Sequence, residues 1–226
     1  MLRALVVVLL VAATARARAD GAEYAVRWDP AAGGPVNVEA ITKALGSQAS
    51  AADVRTVRYF KVVAYPSARP GWEPILRERS SDKGTEVTWK MRADGPVGAA
   101  LRVCPLVGRS EEKPEIDITI PDAEGGRRIS HSWSCSVEGT IETALPAAIQ
   151  AQQQGCASTM TRWKAPDGIK IEHWSLDNGT AFAEVSWVGR FAQKDRAWFT
   201  DHVVRPLLDA GIKPLTGSKT ELATRC

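Results

Sequence analysis

Residues 75–92, ILRERSSDKGTEVTWKMR, are the stretch that decides the fold of this 226-residue chain. They are predicted to form two short strands joined by a polar turn at 80–84, because Ser, Asp and Gly favour turns. Residues two apart in a strand point to the same side. The basic residues Arg77, Arg79, Lys90 and Arg92 are therefore expected on one surface. From the pattern alone, that surface is either an anion site or the solvated face of an edge hairpin.

Patterns typical of strands continue through most of the chain, and few segments are helical. This order predicts an α+β fold, an antiparallel β-barrel or tunnel of about eight strands with helices packed outside. Helices are predicted at 38–45, 140–153 and 196–210, and residues 218–222 are expected to form a short strand or turn. Besides the two hairpin strands, strands are predicted at 23–28, 54–65, 99–104, 115–120, 128–137, 159–164, 169–176 and 180–188.

The residues expected to point into this barrel are unusually polar. Alternate residues of a barrel strand face inward, and small barrels normally fill that space with apolar side chains. Here the alternate positions place charge inside instead. The charged residues at these positions are Glu23, Arg27, Arg77, Arg79, Lys90, Arg92, Glu172 and Glu184.

The first 19 residues resemble a secretory signal peptide. Arg3 is followed by the apolar run 4–13 and by the small-residue pattern Ala-Arg-Ala at 17–19. The run is shorter than the about 20 apolar residues that a membrane-spanning helix needs, and no later segment is longer. We therefore expect a secreted or periplasmic protein whose mature chain, 20–226, is a single domain without a transmembrane segment.

The apparent positive charge of the chain belongs to this predicted signal peptide. Removing the three arginines of residues 1–19 from the 29 basic residues leaves 26, which equals the number of acidic residues. A general attraction to nucleic acid or to a membrane surface is therefore not expected. Binding of an anion would have to come from local clusters of basic side chains.

Four cysteines remain in the predicted mature chain, and none of them forms a C-x-x-C motif. An exported chain with an even number of cysteines is typical of a disulfide-bonded protein. Three pairings are possible. Cys104–Cys135 with Cys156–Cys226 is favoured, because the second bond would attach the C-terminus to the domain.

The order of motifs resembles that of the CYTH family, also called triphosphate tunnel enzymes. Family members begin with E-x-E-x-K, where this chain has EYAVR at 23–27. Their L-R-x-R and L-T-L-K strands resemble LRER at 76–79 and VTWK at 87–90. Their final E-x-E strand, helix and late Ser-Lys resemble AEVS at 183–186, the helix predicted at 196–210 and Ser218-Lys219.

The resemblance implies a small tri- or polyphosphate ligand in the tunnel. It also implies Mg²⁺ or Mn²⁺ held by Glu23 and Glu184, and Glu172 is a further candidate ligand in place of the carboxylates that are missing. Ala25 and Ser186 stand where the family has a second glutamate in each motif, so the metal-binding half is less complete than the anion-binding half. No catalytic residue is assigned. The phosphate-binding candidates are Arg27, Arg77, Arg79, Lys90, Arg92 and Lys219.

Three functions are compatible with these patterns. The protein is a metal-dependent triphosphatase or related phosphohydrolase, a tunnel protein that binds an anion without turnover, or an envelope or secreted β-domain without a ligand. Trp72, in a proline-rich loop, is the tryptophan most suited to contact a ligand. Convergence of the hairpin cations with Glu23 and Glu184 in one cavity would favour the first two functions over the third.

Overall fold

The computed structural model describes residues 21–50, 52–65, 74–124 and 126–226, and its strands close into a barrel. The order around the barrel is β1-β5-β6-β4-β3-β2-β7-β8-β9. The α+β barrel predicted from the sequence is confirmed, with nine strands rather than about eight. The strands are β1 (Gly21–Trp28), β2 (Asp53–Ala64), β3 (Ile75–Ser81), β4 (Gly84–Ala93), β5 (Glu111–Thr119), β6 (Arg128–Glu138), β7 (Gln150–Lys164), β8 (Lys170–Leu176) and β9 (Ala181–Arg190).

The barrel is not purely antiparallel, because β1 and β5 run parallel. All other neighbouring pairs are antiparallel. A closed ring with an odd number of strands cannot alternate direction all the way round, so nine strands require at least one parallel pair. This pair places Glu23 of β1 opposite Asp117 of β5.

The helices are short. No described helix is long and apolar enough to cross a membrane. The segment predicted at 196–210 is helical in three parts, with a wide π-helical turn at Thr200–Val204 just before Pro206, which lacks the N–H that a regular ladder needs. The α-helices are α1 (Val38–Ala44), α2 (Ile141–Ala144), α3 (Gln193–Phe199), α4 (Arg205–Asp209) and α5 (Lys219–Ala223).

The apolar side of most strands faces outward and is covered by helices and loops. Val26 packs in one buried cluster with Phe199 and Leu207 of the α3–α4 segment. Trp89 and Trp133 pack in a second cluster on another side of the barrel. Complete burial of each such side chain stabilises the fold by roughly 1.5–3 kcal/mol. This outward burial leaves the opposite, polar side of the strands for the interior.

The prediction of a helix at 140–153 is wrong for most of these residues. Only Ile141–Ala144 is helical, and residues 150–153 belong to β7. Leu145 precedes Pro146 and adopts extended angles, φ −88° and ψ 132°, because proline disfavours the helical conformation of the residue before it. The polar residues that follow pair with β2 instead of continuing a helix.

The strand predicted at 99–104 is also wrong. Residues Ala99–Leu101 form one 3₁₀ turn, and no described residue of 102–104 is in a strand. Arg102 Nε donates to the carbonyl oxygen of Val97 at 2.8 Å, which folds the segment back on itself. Cys104 then bonds to Cys135 of β6 across a sequence separation of 31 residues.

The C-terminal segment forms α5, whereas a strand or turn was expected. Leu222 and Ala223 are buried among side chains from the inner face of the barrel, including Tyr59 and Trp174, so this helix does not pack outside. Gly155, with φ +68°, lies in a register shift of β7, and a Cβ there would approach Thr224 to 2.7 Å. That close approach accompanies the Cys156–Cys226 disulfide. Both disulfides are those favoured from the sequence.

Candidate anion-binding site

The barrel interior contains a cavity of about 330 Å³, lined mainly by charged and hydroxyl side chains. Among the described residues, ten basic and five acidic side chains line it, and this excess of positive charge favours an anion. The acidic ones are Glu23, Glu86, Glu111, Glu115 and Asp117. The basic ones are Arg27, Arg77, Arg79, Lys90, Arg92, Lys113, Arg128, Arg162, Lys170 and Lys219.

The basic side chains of the β3–β4 hairpin lie in this cavity. The side chains of Arg79, Lys90 and Arg92 are 15%, 13% and 26% exposed. Both strands are paired on each side, so the hairpin is not a sheet edge, and the solvated-edge interpretation does not describe the structure. All six phosphate-binding candidates named from the sequence line the same cavity: Arg27, Arg77, Arg79, Lys90, Arg92 and Lys219.

Two buried glutamates lie opposite each other next to this cavity. Glu172 of β8 and Glu184 of β9 are direct cross-strand partners and are 1% and 0% exposed. Like charges in this position repel. Lys219 relieves the repulsion, because its Nζ lies 2.7 Å from Glu184 Oε1 and 3.3 Å from Glu172 Oε2.

Two arginines complete this buried ion network. Arg27 Nε lies 2.5 Å from Glu184 Oε2, and Arg162 Nη2 lies 2.7 Å from Glu172 Oε1. Trp174 Nε1 also donates to Glu172 Oε2 at 3.0 Å. Every oxygen of the two carboxylates therefore has a positive or donating partner.

The network keeps Glu172 and Lys219 charged. Burial alone would raise the pKa of Glu172, but Lys219 and Arg162 outweigh burial and hold it well below the usual range. Burial lowers the pKa of Lys219, but Glu172 and Glu184 outweigh that effect and raise it. Each charge in the network therefore depends on its partners.

Two further acidic residues of the cavity, both on β5, were not identified from the sequence. Glu115 and Asp117 face the cavity, and Lys90 Nζ lies 3.4 Å and 3.1 Å from their carboxylates. Arg92 contacts Asp117 at 3.5 Å, and Lys113 contacts Glu115 at 2.6 Å. The sequence does contain a pattern that identifies them. In EIDITI at 115–120, isoleucines alternate with polar residues, so Glu115 and Asp117 share the face opposite the isoleucines.

Of the four basic side chains of the hairpin that line the cavity, Arg77 and Arg79 have the weakest counter-charges. Arg77 has no acidic partner within 4.0 Å among the described residues, and its Nη2 donates only to Thr88 Oγ1 at 3.3 Å. Arg79 Nη1 lies 3.9 Å from the carboxylate of Glu86, which is 42% exposed. Burial, with repulsion from Arg77, lowers the pKa of Arg79 to about 9. The two arginines thus leave positive charge available to a ligand.

The carboxylates predicted to bind a divalent metal do not form a metal site in this arrangement. The oxygens of Glu172 and Glu184 are engaged by Lys219, Arg27 and Arg162. Glu23 has Lys170 Nζ at 3.7 Å and accepts a hydrogen bond from Ser186 Oγ at 3.5 Å. Among the described residues, no group of three or more acidic, His or Cys side chains is placed to hold a metal ion. A hard divalent cation needs several free oxygen ligands, which this donor set does not offer.

The ion pairs of the cavity predict a loss of stability in acid. Burial raises the pKa of Asp117, but Lys90 and Arg92 outweigh burial and lower it to about 2. In an unfolded chain the pKa of an aspartate is about 3.9. A carboxyl group whose pKa is lower in the folded protein stabilises the fold at every pH above its unfolded pKa. This contribution to stability is lost as the pH falls through the folded pKa. We expect urea midpoints to fall between about pH 4 and pH 2. Asp117→Asn should show a weaker fall, and a midpoint independent of pH in this window would contradict the prediction.

No protein-family model matches the sequence, and no curated protein matches it. The solved structures that this chain matches include PH1819 from Pyrococcus horikoshii, at 12% identity and a TM-score of 0.45, covering 88% of this chain and 97% of the other. A conserved hypothetical protein from Pyrococcus furiosus has 11% identity and a TM-score of 0.44, covering 88% and 99%. HpAC1 from Hippeastrum, a proposed adenylyl cyclase with a dominant triphosphatase activity, has 11% identity and a TM-score of 0.47, covering 90% and 94%.

Proposed function

We propose that this protein binds a phosphate-rich anion, such as tri- or polyphosphate, inside its barrel. The observation that carries the proposal is the pair Arg77 and Arg79, which are partly buried in the cavity and lack full counter-charges. The Nε atoms of both arginines are buried and have no hydrogen-bond partner among the described residues. Guanidinium groups bind phosphate oxygens through paired, charge-assisted hydrogen bonds.

The geometry favours an extended polyanion over a single phosphate. Arg77 and Arg79 are two residues apart on β3, which separates their backbone positions by about 7 Å. Hydroxyl groups of Thr88, Ser134 and Ser136 line the cavity beside them and supply further donors. The cavity volume of about 330 Å³ lies within the range of small-molecule sites.

Binding without turnover is the form of this function that the site supports best. Hydrolysis of a phosphoanhydride depends chiefly on a metal ion and on groups that stabilise charge in the transition state. The basic side chains that would stabilise charge in the transition state are present. Glu172 and Glu184, which would bind the metal ion, are instead paired with Lys219, Arg27 and Arg162. The relationship to the CYTH family remains a prediction from the motifs.

We further propose that the protein is exported. The pattern of residues 1–19 and the two disulfides support this proposal, because stable disulfides are typical of oxidising compartments. Residues 1–20, with the predicted cleavage site, and Trp72 lie outside the described residues.

Calorimetric titration with tripolyphosphate tests the proposed function. We expect saturable binding that weakens with added salt, because the contacts are charge-assisted. At 100 times the Kd, the ligand should stabilise the fold by about 2.7 kcal/mol in a melting assay. If tripolyphosphate neither binds nor stabilises the protein, the proposal is wrong, and the remaining function is that of a structural β-domain without a ligand. Release of phosphate in the presence of Mg²⁺ or Mn²⁺ would instead favour a phosphohydrolase.

A further inference from the structure

The position of Lys219 distinguishes this cavity from a carboxylate site built for a metal. Its ammonium group bridges Glu172 and Glu184, with contacts of 3.3 Å and 2.7 Å. The two glutamates are buried cross-strand partners of like charge. A cation between its members stabilises such a pair in its charged form, and here a side chain of the same protein supplies that cation.

Lys219 is held in this position from both ends of α5. On its N-terminal side, Ser218 and Glu221 form a capping box, in which Ser218 N donates to Glu221 Oε2 at 2.6 Å. On its C-terminal side, the buried Leu222 packs inside the barrel, and Cys226 is bonded to Cys156 of β7. The ammonium group is therefore preorganised rather than free to leave the network.

We propose that Lys219 is the permanent cation of this site and occupies the place between Glu172 and Glu184 that a divalent metal ion would need. Anion binding in the cavity is then independent of metal. Removal of the ammonium group should free Glu184 Oε1 and Glu172 Oε2, the two oxygens that Lys219 contacts, for a divalent ion whose other ligands are water molecules. This inference concerns the cation alone and does not depend on which anion the cavity binds.

Mn²⁺ titrations in chloride buffer, without any phosphate, test this proposal. We expect the wild-type protein to bind no Mn²⁺ at millimolar concentration, as followed by electron paramagnetic resonance of the free ion. Lys219→Met should gain stoichiometric Mn²⁺ binding. At 100 times its Kd, Mn²⁺ should raise the melting temperature of this variant by about 5 °C or more.

Lys219→Arg is the matched control, because it keeps the positive charge and should gain no Mn²⁺ binding. Stoichiometric Mn²⁺ binding by the wild-type protein would overturn the proposal, and this measurement stands even if Lys219→Met does not fold. A folded Lys219→Met that binds no Mn²⁺ would also overturn it. Because no phosphate is present, failure here is distinct from failure of tripolyphosphate binding.

Discussion

Replacing Arg77 and Arg79 together by methionine is expected to weaken tripolyphosphate binding at least about 100-fold. A hydrogen bond to a charged group contributes about 1.5–3 kcal/mol, so two arginines contribute at least about 3 kcal/mol, and each 1.4 kcal/mol is a factor of ten. Methionine keeps much of the side-chain length and removes the charge. Titration calorimetry of the double variant against the wild-type protein measures the effect.

The same double variant should lose little or no stability in the absence of anion. Arg77 and Arg79 repel each other, and both have weak counter-charges, so their removal relieves an unfavourable interaction. Arg205→Ala is the control, because Arg205 is 57% exposed and pairs only with Asp201 on the protein surface. We expect its tripolyphosphate affinity to equal that of the wild-type protein. An affinity of the Arg77/Arg79 double variant within threefold of wild type would contradict the assignment of these arginines.

Replacing Glu184 by glutamine is expected to lower the free energy of unfolding by about 3–5 kcal/mol. Glu184 is fully buried and contacts both Arg27 and Lys219. Removal of one partner from a buried ionic network leaves the others with uncompensated charge, and this causes losses of that size. Urea unfolding at neutral pH measures the change.

The surface pair of Asp201 with Arg205 provides the comparison. Both side chains are more than half exposed, so Asp201→Asn should change stability by no more than about 1 kcal/mol. Combining Glu184→Gln with Lys219→Met should cost less than the sum of the single changes, because each removes a partner of the other. A loss of under about 1 kcal/mol for Glu184→Gln would contradict a coupled buried network.

The sequence was most informative where one face of a strand differs from the other. In residues 75–92 the basic side chains recur every second residue, and in the barrel they share the inner face. The same period identifies the isoleucines of β5 as one face and Glu115 and Asp117 as the other. Alternation is a local property of extended backbone, so it can be read without knowledge of the neighbouring strands.

The sequence was least informative where a distant partner decides the local structure. Residues 150–153 have no strong strand pattern, yet they extend β7 because β2 offers unsatisfied backbone groups along its length. Closure of an odd-numbered ring requires at least one parallel pair, and here β1 and β5 form it. Neither property is encoded within the segment that shows it.

By itself, the sequence determined the α+β class, most of the strands and that the basic residues Arg77, Arg79, Lys90 and Arg92 share one face, because a strand shows two faces with a period of two. Only the tertiary structure decided which charges remain available. Lys219 is 35 and 47 residues from Glu184 and Glu172 along the chain, yet it neutralises both. Arg77 and Arg79 have no comparable partners. The inward-facing hairpin is therefore the proposed anion-binding wall, and Glu172 and Glu184, two of the three glutamates predicted as metal ligands, belong to the buried ion network.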